Sequence, residues 1–153
     1  MSRARFLPSV SDTSASSATP ARALLAAATA IAAVATAGSL YFSEVLGLVP
    51  CEFCWYQRIL MYPLVVVLGV AALEGRSGVW RTALPLSTLG VGIAAYHTYL
   101  QLSPGVSCGV GGACSAILWE GFFVFTIPRL SLVAFLLISA VLGAVWRRDR
   151  GEG

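Results

Sequence analysis

Cys51-Glu52-Phe53-Cys54 is a C-x-x-C placed where a loop enters an apolar segment. Cysteines at that spacing interconvert between dithiol and disulfide with little backbone movement, and the start of a helix favours the reactive thiolate. Trp55-Tyr56-Gln57-Arg58 follows directly. Cys54 and Arg58 stand at i, i+4, so a helix puts both on one face, a guanidinium one turn from a sulfur. The helix dipole and Arg58 then act in the same direction on Cys54. A reactive thiol, a fixed cation and an apolar surround point to electron exchange with a lipid-soluble carrier. The bland alternative for Arg58 is an interfacial arginine that snorkels to the headgroups.

The other two of the four cysteines, Cys108 and Cys114, enclose Gly109-Val110-Gly111-Gly112-Ala113. Those glycines let a short loop fold back until two sulfurs meet. Two structural disulfides are one reading of the four thiols. Zinc held by four thiolates fits poorly, because no ribbon or finger surrounds the pairs and the compartment is oxidising. Covalent haem needs His directly after the second cysteine, where Trp55 stands. A two-stage redox relay is the reading that uses both pairs. His97, the single histidine, lies in Tyr96-His97-Thr98-Tyr99 at the depth expected for the Cys54–Arg58 turn. It is either a packing residue or a donor to a quinone carbonyl that also passes a proton.

The chain that positions these groups has 153 residues, 58% of them hydrophobic and only 11% charged. That balance marks an integral membrane protein, and the length leaves no room for a separate catalytic domain. The net charge of +3 comes from arginines at segment edges, with no basic stripe for nucleic acid. Four apolar segments, Ala23–Phe42, Trp55–Leu73, Thr82–Leu100 and Ile127–Trp146, are each long enough to cross a hydrocarbon core. The expected fold is all-α, an antiparallel four-helix membrane bundle with two extracytoplasmic cysteine-bearing loops. The aromatic stretch Ala116–Phe125 is too short to span and is expected as an interfacial helix.

With four spans and both termini inside, the inner side receives Arg3, Arg5, Arg22, Arg76, Arg81, Arg147, Arg148 and Arg150, and the outer side only Arg58 and Arg129. Positive residues favour the cytoplasm, so both cysteine loops fall outside it, where disulfides persist. Residues 1–22 read as a disordered cytoplasmic tail, 23–148 as the bundle and 149–153 as a cytoplasmic C-terminal tail. Arg22, the apolar run and Ala35-Thr36-Ala37 also imitate a cleavable signal, although the run continues to Phe42.

The run Pro50-Cys51-Glu52-Phe53-Cys54-Trp55-Tyr56-Gln57-Arg58-Ile59-Leu60-Met61-Tyr62-Pro63, then Tyr96-His97-Thr98-Tyr99-Leu100-Gln101, then Cys108 and Cys114 before Ile127-Pro128, resembles the disulfide bond formation protein B (DsbB) family in its short BdbC-type branch. The likeness covers approximately Ala23–Arg148. The order of the cysteine pairs separates it from the vitamin K epoxide reductase family, whose C-x-x-C follows its loop cysteines. The resemblance implies a monomeric enzyme of the cell membrane that reoxidises a DsbA- or BdbD-like thioredoxin-fold oxidase and passes the electrons to ubiquinone or menaquinone. It implies that Cys51 and Cys54 are the quinone-coupled pair, with Cys54 beside the ring, and that Arg58 and His97 contact quinone. Cys108 and Cys114 match the pair that exchanges with the partner. Only five residues separate those two, fewer than in longer members, and Gln57 stands where some members carry an acidic residue. A vitamin-K-reductase-like enzyme and a non-catalytic scaffold with structural disulfides are the competing classes.

Overall fold

The computed structural model describes residues 14–103, 120–121 and 125–151. Four long helices account for nearly all of them: α1 (Ser14–Leu40), α2 (Glu52–Glu74), α3 (Trp80–Leu102) and α4 (Ile127–Gly151). α1 runs on into a π-turn, Tyr41–Val45, and a 3-10 turn, Ser77–Val79, precedes α3. The helices pack in a ring, α1 on α2 and α4, and α3 on α2 and α4. The short α2–α3 link, closed by Gly75 at φ 68°, makes those two helices antiparallel neighbours.

Three stretches, Pro20–Val45, Glu52–Glu74 and Ile127–Gly151, are long and apolar enough to cross a membrane. α3 is as long as α2 but less apolar, because it carries polar residues that the ring buries. Ser87 is fully buried and accepts from Ser139 Oγ at 3.0 Å, while His97 is buried near the other end of the helix. Polar groups satisfied inside the ring cost little there and would cost several kcal/mol against lipid. The core between them is Leu25, Leu64, Leu68, Phe135, Ile138 and Leu142, interleaved with Ala28, Ala32, Ala71, Ala83 and Ala94. Small residues bring helices close where lipid removes most of the hydrophobic drive to associate. Gly90 is the sharpest case, since a Cβ there would collide with the Phe135 ring.

One end of the ring is tied by polar contacts. Arg22 donates from Nη2 to the Leu73 carbonyl at 2.6 Å and from Nε to the Ala72 carbonyl at 3.3 Å, covering carbonyls left open at the end of α2. Ser77 Oγ and Trp80 Nε1 both donate to the Asp149 carboxylate, at 2.7 and 3.0 Å.

Two expectations differ from what is found. Helix α1 starts at Ser14, inside the stretch read as a disordered tail; the Ala-rich run that follows Pro20 propagates helix, and Arg22 is anchored on α2. Of the stretch expected as an interfacial helix, Glu120–Gly121 pairs antiparallel with Phe125–Thr126, so these residues are extended. The remainder of Ala116–Phe125 lies outside the described residues.

Candidate functional site

The site gathers at the opposite end, where α2 begins. Cys51 is the N-cap of α2, with φ −71° and ψ 169°, and its sulfur accepts from the Cys54 N–H at 3.3 Å. A sulfur here takes one of the donors that every helix N-terminus leaves open. Both cysteines are reduced, Cys51 buried and Cys54 half-buried. Cys51 Sγ also lies 3.6 Å from His97 Nε2 on α3. The other ring nitrogen, Nδ1, is 3.2 Å from Gln57 Nε2, and both Gln57 and His97 are almost fully buried. Phe53 packs against the His97 ring at 5.6 Å and the Tyr96 ring at 5.5 Å, which fixes the start of α2 on α3.

Cys51 precedes the membrane-length segment, and its thiol is pulled well below the ordinary thiol range. The hydrogen bond from the Cys54 thiol is the largest cause; burial opposes it, and His97 and the Cys54 N–H add to it. Sequence reasoning put the anion on Cys54 through Arg58; in the reduced pair the donors converge on Cys51.

Cys54 faces the other way, onto a cavity of about 630 Å³ lined by α1, α2, α4 and the segment between α1 and α2. The lining is mostly apolar, from Ile31, Val34, Leu48, Met61, Leu130 and Phe135 among others. Arg58 opens onto the same cavity. Its guanidinium is held by one residue of α1, Nε donating to Ser39 Oγ at 2.9 Å and Nη2 to the Ser39 carbonyl at 2.8 Å, and it lies 5.5 Å from the Trp55 ring centre. Among the described residues no carboxylate forms an ion pair with Arg58, so its charge is left for whatever occupies the cavity. Tyr62, one turn beyond Arg58, also lines the cavity, and its buried hydroxyl has no hydrogen-bond partner among the described residues.

Cys51, Cys54, Arg58 and His97 are thus brought together at one end of α2, but on two sides of the cysteine pair. Cys54 and Arg58 border the cavity, whereas His97 touches Cys51 and is not among the cavity-lining residues. Cys108 and Cys114 lie outside the described residues. Sequence reasoning gave no role to Ser39, Gln57 or Tyr62. Gln57 and Tyr62 carried a signal, at i+3 from Cys54 and i+4 from Arg58 on the same helix face. Ser39 carried none, because its contact with Arg58 exists only once α1 packs on α2.

The family model for disulfide bond formation protein DsbB matches residues 21–145, which takes in α2, α3, most of α1 and α4, and both cysteine pairs. The chain belongs to the DsbB family. Within that family it is of the BdbC type, being 48% identical over 114 residues to disulfide bond formation protein C of Bacillus subtilis, which covers 71% of this chain and 81% of the relative. It is 43% identical over 125 residues to a probable disulfide formation protein of Oceanobacillus iheyensis, covering 78% and 85% of the two chains. A probable disulfide formation protein of Deinococcus radiodurans is 41% identical over 133 residues, with the same coverage. No solved structure matches the chain. DsbB-family membership and three membrane-length helices make it a multi-pass membrane protein of disulfide bond formation.

Proposed function

We propose that this DsbB-family protein reoxidises an extracytoplasmic thioredoxin-fold oxidase of the DsbA or BdbD kind and delivers the electrons to a membrane quinone. The observation that carries the reading is the cavity on which Cys54 and Arg58 both open. Its volume of about 630 Å³ and apolar walls suit a prenylated ring. Its polar groups suit a ring with two oxygens: among the described residues, a guanidinium with no carboxylate paired to it on one helical turn and a Tyr62 hydroxyl with no hydrogen-bond partner on the next. When bound, a quinone accepts two electrons and two protons.

The chain's own residues divide the work. Cys108 and Cys114 exchange with the reduced partner, Cys108 forming the mixed disulfide, and then pass the electrons to Cys51 and Cys54. Cys51, hydrogen-bonded by Cys54 and His97, is the sulfur that meets the loop pair. His97 holds or gives up a proton at Cys51. A proton passed between the two neighbouring sulfurs moves the anion to Cys54, the one that borders the cavity, and closing the Cys51–Cys54 disulfide releases the electron pair there. Arg58, fixed by Ser39, holds negative charge that develops in the cavity. The four helices form an antiparallel bundle in the cell membrane with both termini cytoplasmic and both cysteine pairs outside, as the arginine distribution supports.

The test is the purified full-length chain in lipid nanodiscs with ubiquinone or menaquinone and a reduced DsbA-like protein, following quinol formation. Cys54→Ser is expected to abolish quinol formation while Cys108 still traps the partner. Normal turnover by that variant would overturn the scheme.

A further inference from the structure

The reduced cysteine pair and His97 form a donor set whose geometry serves a second chemistry. Cys51 Sγ, Cys54 Sγ and a His97 ring nitrogen all lie within 4.8 Å of one another. In a tetrahedral zinc site, with Zn–S of about 2.3 Å and Zn–N of about 2.0 Å, a sulfur and a nitrogen sit roughly 3.6 Å apart. Cys51 Sγ and His97 Nε2 are 3.6 Å apart. The outer contact is also in place. Metal-bound histidine nearly always has its second ring nitrogen held by a neighbour, which fixes ring orientation. Here Gln57 holds His97 Nδ1 at 3.2 Å, and a half-turn of its amide presents the oxygen that a metal-bound ring would need. Cys51, His97 and Gln57 are all at least nine-tenths buried, so the set is built into the packing of α2 on α3. Cys54 borders the cavity, which leaves the fourth tetrahedral position on that side.

We propose that the dithiol form of this protein is a binding site for a soft, closed-shell divalent cation of the zinc and cadmium class, with Cys51, Cys54 and His97 as ligands. Binding displaces the one thiol proton that the pair still shares, leaves both sulfurs as thiolates on the metal and changes no oxidation state. The disulfide form has no thiolates to offer, so the site exists only while the pair is reduced. Occupied, it engages the sulfur lone pairs that disulfide closure needs, so the metal locks the enzyme in its reduced state. The binding does not depend on the quinone reading; only the lock does.

The experiment uses the full-length chain with Cys108→Ser and Cys114→Ser, which leaves a single dithiol, reduced and titrated with cadmium. Expected are one cadmium per chain, a sulfur-to-cadmium charge-transfer band, and a cadmium NMR resonance of the two-sulfur, one-nitrogen class. His97→Ala should weaken binding roughly tenfold or more. Unchanged affinity in His97→Ala, or a resonance lacking the nitrogen contribution, would reduce the site to a bare dithiol and overturn the proposal. The NMR arm uses unaltered His97 and so stands even if that variant folds poorly. In a second arm, zinc should slow oxidation of the pair by added quinone, with recovery on chelation. Oxidation unaffected by bound zinc would overturn the lock. Failure of quinone to oxidise the metal-free pair would count against the proposed function instead.

Discussion

Arg58 spends two hydrogen bonds on a single residue of α1, Nε on Ser39 Oγ and Nη2 on the Ser39 carbonyl, at 2.9 and 2.8 Å. The pair ties the turn that carries Cys54 to the point where α1 passes into its π-turn. Ser39→Ala removes one of these bonds and leaves the carbonyl. A hydrogen bond to a charged group contributes about 1.5–3 kcal/mol, so the apparent KM for quinone is expected to rise by roughly tenfold. Rates of exchange with the partner should stay unchanged. An unaltered KM in steady-state quinone reduction would mean that the Ser39 carbonyl and Trp55 suffice to position Arg58.

His97 gives the cleanest separation of two roles. Because it touches Cys51 and not the cavity, His97→Ala is expected to slow thiol–disulfide exchange at Cys51 and leave the quinone KM within about twofold. Stopped-flow exchange with a reduced loop-pair peptide reads the first quantity, and steady-state quinone reduction the second. A large rise in KM with normal exchange would return His97 to the quinone.

Tyr62→Phe removes a buried hydroxyl that has no partner among the described residues. Leaving such a group unsatisfied costs about 1–3 kcal/mol, so the quinone-free protein should become more stable, read as a higher Tm in detergent. Quinone should raise the Tm of Tyr62→Phe less than that of the unaltered chain. A lower Tm without quinone would show that the hydroxyl is already satisfied.

Gly90→Ala drives a methyl into the Phe135 ring, which also lines the cavity. Overpacking of this kind costs about 1–3 kcal/mol. The variant should lose both thermal stability and quinone affinity, and Phe135→Leu should restore the first by making room. Stability unchanged in Gly90→Ala alone would show that α3 and α4 can part at no cost.

Much of this was readable from the chain, for identifiable reasons. The C-x-x-C, the i, i+4 placement of Arg58 and the apolar runs are local patterns, and local patterns survive into α2 and α4 with boundaries moved by a few residues. The π-turn at Tyr41–Val45 and the Ser39 contact were invisible, since both express the packing of α1 on α2. His97 was expected near the Cys54–Arg58 turn, and in the structure it lies against Cys51 and outside the cavity lining. Depth follows from counting residues along antiparallel helices, whereas side depends on how α3 is rotated about its axis. The anion was assigned to Cys54 from the helix dipole and Arg58, and the hydrogen bonds that favour Cys51 arise from the N-cap geometry and from α3. The early start of α1 escaped notice because serine and threonine between alanines read as a tail.

Among the described residues, the cavity walls come from α1, α2, α4 and the segment between α1 and α2, with nothing from α3. On the proposed function, a chamber set between apolar membrane helices takes its quinone sideways from the lipid. For a carrier dissolved in that lipid, the concentration that governs turnover is its mole fraction in the leaflet, and collisions occur in two dimensions. Diluting the nanodisc lipid should therefore slow the enzyme at fixed total quinone, whereas diluting the aqueous buffer should not.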